Sequence, residues 1–117
     1  MDFDSAVQAH MEWKFKLAAY IRNPDHSLDP LVVGLDNRCP LGQWIHGEGG
    51  AQYGTIADFA DLKTKHATFH REAASIVRRA DAGETLQEGS ALDNHSDYGK
   101  ASLAVIVAIN IVKRQAA

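Results

Sequence analysis

The sequence predicts an all-α fold: an up-and-down four-helix bundle with an additional short helix in the excursion between the first and second long helices. Three observations predict it. Apolar residues recur at spacings of three and four through three long stretches, the period of an α-helix with one buried face. Strand signals are nearly absent, the one β-like run being the short Pro30-Leu31-Val32-Val33-Gly34. The chain has 117 residues, enough for a single core, so residues 1–117 are expected to form one domain.

The elements follow in order. The first helix is expected from about Ser5 to Arg22. Ser5 with Gln8 reads as a capping box, and Phe3, Val7, His10, Met11, Lys14, Leu17, Ala18 and Ile21 form the stripe, which places His10 on the apolar face. Asn23-Pro24 stops it. Residues 25–54 are rich in proline and glycine and read as a compact, irregular helical excursion. In it Asp29-Pro30 is an N-cap and first-turn pair, Cys39-Pro40 opens a short helix closed near Gly47, and Gly49-Gly50 is a loop. The next long helix is expected from Thr55 to about Ala82 with Gly83 as its terminating glycine, its face carrying Leu62, His66, Phe69, His70 and Ala73. Thr85 with Glu88 suggests a second capping box, opening a last helix that runs to about Lys113, with His95 near its inner face and Gly89 and Gly99 as weak points. No internal repeat stands out.

Composition removes several classes of function. With 45% hydrophobic and 23% charged residues the chain is an ordinary globular one. A formal charge of −3 argues against a general electrostatic grip on nucleic acid or anionic lipid. The longest apolar stretch, Ala101 to Val112, is too short for a bilayer, which needs about 20 residues. The N-terminus Met1-Asp2-Phe3-Asp4 lacks the charged-then-apolar pattern of a signal peptide. A cytoplasmic location is therefore expected, with no membrane and no nucleic-acid partner.

The chemistry is in histidine and cysteine. The chain has six histidines and one cysteine, Cys39. A lone cysteine forms no internal disulfide and is a buried small residue, a metal ligand or a reactive thiol. His66 and His70 stand at i and i+4, one above the other on an apolar helix face. Two imidazoles aimed into a core need a partner, and a cation is one. With His10 and Cys39 they supply three nitrogens and a sulfur, a closed tetrahedral zinc set. Zinc would deprotonate Cys39 and keep the imidazoles neutral. Taken singly, each residue also has a plain reading: a chance helical pair, a core histidine, a buried small side chain. His26 and His46 are expected at the surface, with His95 as a reserve ligand.

These residues resemble the chemoreceptor zinc-binding domain family. Its pattern of His-x-x-Trp-Arg/Lys, Cys-x-Leu-Gly-x-Trp and His-x-x-x-His is matched in order by His10-Met11-Glu12-Trp13-Lys14, Cys39-Pro40-Leu41-Gly42-Gln43-Trp44 and His66-Ala67-Thr68-Phe69-His70. The resemblance implies a four-helix bundle binding Zn2+ through His10, Cys39, His66 and His70. It also implies a sensory or regulatory role beside chemoreceptors or diguanylate cyclases, and dimers. Trp13 and Trp44 are expected as apolar walls beside the metal or as plain core aromatics, and Gly42 as a point of close approach. Asp36 is expected to hydrogen-bond a ligand imidazole or to serve as a turn residue.

The leading reading is thus a non-catalytic zinc module, since four protein ligands leave no open position for a water. It would sense zinc or, through oxidation of Cys39, an oxidant such as hypochlorous acid. With no receptor or cyclase segment read in the sequence, it is expected to act on a partner in trans or to be an excised or stand-alone domain. A di-iron or oxygen-carrying bundle would want carboxylates on inner faces, and a plain helical adaptor would need no metal. The last helix has apolar residues on more than one side (Ala101, Leu103, Val105, Ile106, Val107, Ile109, Ile111), which suggests a central place or a homodimer interface.

Overall fold

A computed structural model describes residues 2–116; the first and last residues of the expected 1–117 unit lie outside it. The described residues are all-helical with no strand. Seven helices follow one another: α1 (Phe3–Arg22), α2 (Pro30–Val33), α3 (Pro40–His46), α4 (Glu48–Tyr53), α5 (Ala57–Asp81), α6 (Glu88–Ala91) and α7 (Asp97–Ala116). None is long and apolar enough to cross a membrane.

Cross-chain contacts give the directions of the three long helices. Near its start α1 meets α5 through His10 and Phe69, with ring centroids 3.8 Å apart. Near its end Tyr20 Oη donates to Asp81 Oδ1 at 2.5 Å. The two helices therefore run the same way. α7 runs against both, because Lys113 near its end pairs with Asp4 at 2.7 Å and Gln115 bonds Asp58. Residues 23–56 must then carry the chain back along the length of α1. They do so as the broken path α2–α3–α4, with α2 packed on α5.

The core is built from the inner stripes. Leu17, Leu62, Phe69, Ala73, Val77, Val105 and Ile109 are wholly buried. Burying each larger apolar side chain contributes about 1.5–3 kcal/mol. Beyond the metal-ligand candidates, a second aromatic group closes the end of the molecule near the start of α1. There Trp44 packs on Phe3, Tyr53 and Phe59 at 5.4, 6.0 and 5.8 Å.

Several boundaries depart from the sequence reading, each for a local reason. The cap of α1 is Asp2, whose carboxylate accepts from Asp4 N, Ser5 N and Ser5 Oγ at 3.1, 3.2 and 2.7 Å. A carboxylate at a helix N-terminus gains from the dipole as well as the hydrogen bonds, and Ser5 becomes its partner. Gly49 and Gly50 lie inside α4. A Cβ on Gly49 would stand 2.7 Å from the Trp44 ring, so this glycine permits close packing and does not mark a loop. α5 ends as expected: Gly83 adopts φ 82°, while Glu84 N bonds Arg79 O and Gly83 N bonds Ala80 O, both at 3.1 Å, a Schellman closure.

The expected last helix is two helices. Asp93 Oδ1 accepts from both His95 N and Ser96 N at 2.9 Å and turns the chain. Ser96 then caps α7 by accepting from Gly99 N at 2.9 Å. Turn chemistry overrides helical period here, and His95 falls in the break, exposed to solvent.

Candidate metal centre

Three of the four proposed ligands converge. Cys39 Sγ lies 3.3 Å from His66 Nε2 and 3.6 Å from His70 Nε2. The two Nε2 atoms are 3.1 Å apart. Zinc bonds of 2.0–2.3 Å in a tetrahedron imply ligand–ligand edges of about 3.3–3.8 Å; both sulfur edges fall in that range and the Nε2–Nε2 edge is slightly shorter, so the triangle is close to the size of one face of a zinc site. It is also the one group of three or more His, Cys, Asp or Glu donors with such mutual approach among the described residues. No carboxylate belongs to it.

Each corner is placed by a different element. His66 and His70 stand one turn apart on α5, both buried. Cys39 is the N-cap of α3, its Sγ accepting from Gly42 N at 3.3 Å. The backbone of α2 supplies a further group: His70 Nδ1 lies 2.9 Å from Val33 O. A carbonyl only accepts, so Nδ1 carries the proton and Nε2 presents its lone pair to the cluster. Metal-bound histidines ordinarily have such an acceptor behind them. This carbonyl left no mark in the sequence, since a backbone group has no residue type.

His10 stands beside this triangle. It is buried, 5% exposed, with its ring centroid 6.4 Å from that of His66 and its ring packed at a tilt of 46° on Phe69. Its Nε2 is buried with no hydrogen-bond partner, as is His66 Nδ1. An unsatisfied buried nitrogen is unfavourable by about 1–3 kcal/mol, and a cation beside His10 would remove that penalty. The remaining predicted residues are placed as follows. Trp13 meets His70 edge-on at 6.1 Å and carries Lys16 over its face. Trp44 sits in the Phe3–Tyr53–Phe59 aromatic group. Asp36 turns its carboxylate to His46 Nε2 at 3.3 Å and not to a ligand imidazole. Gly42 is buried against the Asp36 carbonyl.

The electrostatics suit a cation. Burial is the main cause that pushes His10 down to about 3 and His66 to about 4, with neighbouring imidazoles adding to it. Burial likewise lowers His70 and raises the Cys39 thiol. Without metal the cluster is therefore neutral at pH 7: three imidazoles and a thiol. A divalent cation reverses the thiol's preference and takes up the imidazole lone pairs that protons do not. An apolar groove of roughly 740 Å³ between α1 and residues 27–41 reaches His10, Cys39 and His70 from the surface.

A family model described as Chemoreceptor zinc-binding domain matches residues 10–77, a span that begins on His10 and contains Cys39, His66 and His70. No curated protein and no solved structure matches the chain.

Proposed function

The chain belongs to the chemoreceptor zinc-binding domain family, and on that premise we propose that it is a single, non-catalytic regulatory domain of bacterial signal transduction, holding one zinc ion through Cys39, His66, His70 and His10. The observation that carries this reading is the Cys39–His66–His70 triangle, with edges of 3.1–3.6 Å close to those of a zinc site. The unpartnered Nε2 of buried His10 beside it supports the fourth position. Four protein donors leave no place for a reacting water. The chain path supports a four-helix bundle in which α1, α5 and α7 are joined by the broken segment α2–α4 as the fourth member.

Signalling follows from what the ion ties together: α1, the α3 cap and α5. Loss of zinc unties them. A two-electron oxidant acts on the same bond, since hypochlorous acid converts the Cys39 thiolate to sulfenic acid with release of chloride, and removes the anionic donor. The output is a signalling protein such as a chemoreceptor or a diguanylate cyclase in the cytoplasm. The chain acts as a homodimer through exposed apolar side chains on adjacent helices: Met11 and Phe15 of α1, Leu103 and Val107 of α7.

Elemental analysis of the purified chain beside Cys39→Ala and His66→Ala tests the centre. One zinc per wild-type chain, lost in both variants, is expected. Two irons per chain, or no metal, overturns it. Mass spectrometry of Cys39 after mild hypochlorous acid, with zinc release followed in parallel, tests the redox input. Zinc retained at complete oxidation removes that input. Sedimentation at high concentration showing only monomer removes the dimer.

A further inference from the structure

The residues that present Cys39 occur twice. Leu35-Asp36-Asn37-Arg38-Cys39-Pro40-Leu41-Gly42 is matched by Leu92-Asp93-Asn94-His95-Ser96-Asp97-Tyr98-Gly99, with leucine, aspartate, asparagine and glycine at the same places. The match extends outward. One-turn helices of four residues, α2 and α6, precede the two loops, each directly after a leucine and a cap, Leu28-Asp29 and Leu86-Gln87. Before them stand long helices bearing His10-x-x-Trp13 and His66-x-x-Phe69, each reaching an arginine at the same remove, Arg22 and Arg78. The expectation of no internal repeat is thus corrected: α1–α2–α3 and α5–α6–α7 repeat one plan.

The two loops share geometry as well as letters. Cys39 Sγ accepts from Gly42 N at 3.3 Å, and Ser96 Oγ accepts from Gly99 N at 2.9 Å. Gln43 N bonds Cys39 O and Lys100 N bonds Ser96 O, both at 2.9 Å. A Cβ on Gly42 would stand 1.7 Å from Asp36 O, and one on Gly99 would stand 1.8 Å from Asp93 O. Even the clefts correspond: Leu28, Val33, Cys39 and Leu41 line the groove to the metal centre, and Leu86, Ala91, Ser96 and Tyr98 line a cleft against α5. No residue of the second loop belongs to a group of three His, Cys, Asp or Glu donors able to hold a cation among the described residues. What the loops share, the side-chain cap on the glycine N–H and the helix bond after it, forms around a serine without a cation, although Asp93 also binds His95 N and Ser96 N where Asp36 turns to His46.

We infer that the loop before α3 is a metal-independent capping loop, in which the Gly42 N–H holds the Cys39 sulfur in its ligating position before any cation arrives. Gly42 is then a positioning residue for the metal centre. Val33 O does the same for His70. His66 has no hydrogen bond behind it, its Nδ1 being unpartnered, but it shares α5 with His70. His10 stands on a separate helix with its Nε2 unpartnered, so α1 is the element that a cation draws onto the three-donor corner. The last step rests on the zinc reading; the loop itself does not.

Amide hydrogen exchange on the whole chain, metal-free and with added zinc chloride, tests this. The Gly42 amide is expected to be protected in the metal-free chain to within roughly tenfold of Gly99, and to change by less than about tenfold with zinc. The amides of α1 around His10 are expected to gain more than about tenfold with zinc. Cys39→Ser keeps the Gly42 protection and loses zinc, Cys39→Ala loses both, and Ser96→Ala loses only the Gly99 protection. A Gly42 amide that exchanges freely until zinc is added overturns the inference. A chain that takes up no zinc overturns the function proposed above and the role of His10, while the metal-free Gly42 amide still decides the loop.

Discussion

The loops that open α3 and α7 are two executions of one design, and they differ in what faces them. The first presents a sulfur to His66 and His70 at the end of an apolar groove. The second presents a hydroxyl to a cleft lined by Ser75, Thr85 and Ser90. At the places in α1 that correspond to His66 and His70 stand His10 and Lys14, and a protonated lysine offers no lone pair. The backbone thus supplies a corner in both halves. Among the described residues, a group of donors able to hold a cation forms only where the thiol meets an i,i+4 histidine pair.

The largest effect should come from removing the cation that the first loop and α5 hold together. A ligand present at 1,000 times its dissociation constant stabilises by about 4 kcal/mol, which corresponds to a melting shift of roughly 10–25 °C for a chain of this size. Chelation of the zinc-loaded protein is expected to lower the melting temperature by that order, and His66→Ala to abolish the response. Ser96→Ala, the matching change in the second half, should leave zinc content at one per chain. Equal zinc loss in the two variants would erase the distinction between the halves.

Next comes the shared backbone. Gly42→Ala and Gly99→Ala each force a Cβ into a carbonyl, and destabilisation of about 2–4 kcal/mol is expected for both by chemical denaturation. Gly89 has nothing within 4 Å of a Cβ and lies in α6. Gly89→Ala is expected to stabilise by up to about 1 kcal/mol. A mild Gly42→Ala beside a severe Gly99→Ala would break the equivalence of the loops.

Acid should act on buried histidines of both halves alike. For the metal-free chain, His10 and His66 bind protons only near 3 and 4, whereas the unfolded chain binds them near the usual 6.5. Between about pH 6.5 and 4 the unfolded state therefore holds more protons, and stability falls with falling pH by up to about 1.4 kcal/mol per unit for each buried histidine. Above 6.5 these groups contribute no slope. His10→Phe is expected to flatten the denaturant-midpoint profile in that window, and an unchanged slope would show that His10 is not buried neutral.

Much of the centre could be read from the sequence because it obeys helical period. His10, His66 and His70 lie on stripes that a spacing of three and four reveals, and all three are buried. What escaped was chemistry carried by the backbone or by competing turns. Val33 O and Gly42 N act through groups every residue has. Asp93 and Ser96 interrupt a helical pattern because their side chains satisfy the same amides a helix would. Gly49, which beside Gly50 reads as a loop, is a helical position against the Trp44 ring. The repeat was present in the letters, but differing connector lengths and the change from cysteine to serine concealed it.

The smallest effect concerns the histidine that period alone misplaced. His95 follows Asn94 as Arg38 follows Asn37, and both are exposed loop positions next to the capping residue. His95 donates only its backbone N–H, to Asp93 Oδ1, and any residue except proline supplies that group. His95→Ala is therefore expected to change stability by less than about 0.5 kcal/mol and to leave zinc content unchanged, as is Arg38→Ala in the first loop. His10→Ala, by contrast, removes a buried ring that packs on Phe69 and lies beside His66. If His95→Ala lowered zinc content while His10→Ala did not, the fourth donor would belong to the second half, and α1 could not be the element the cation draws in.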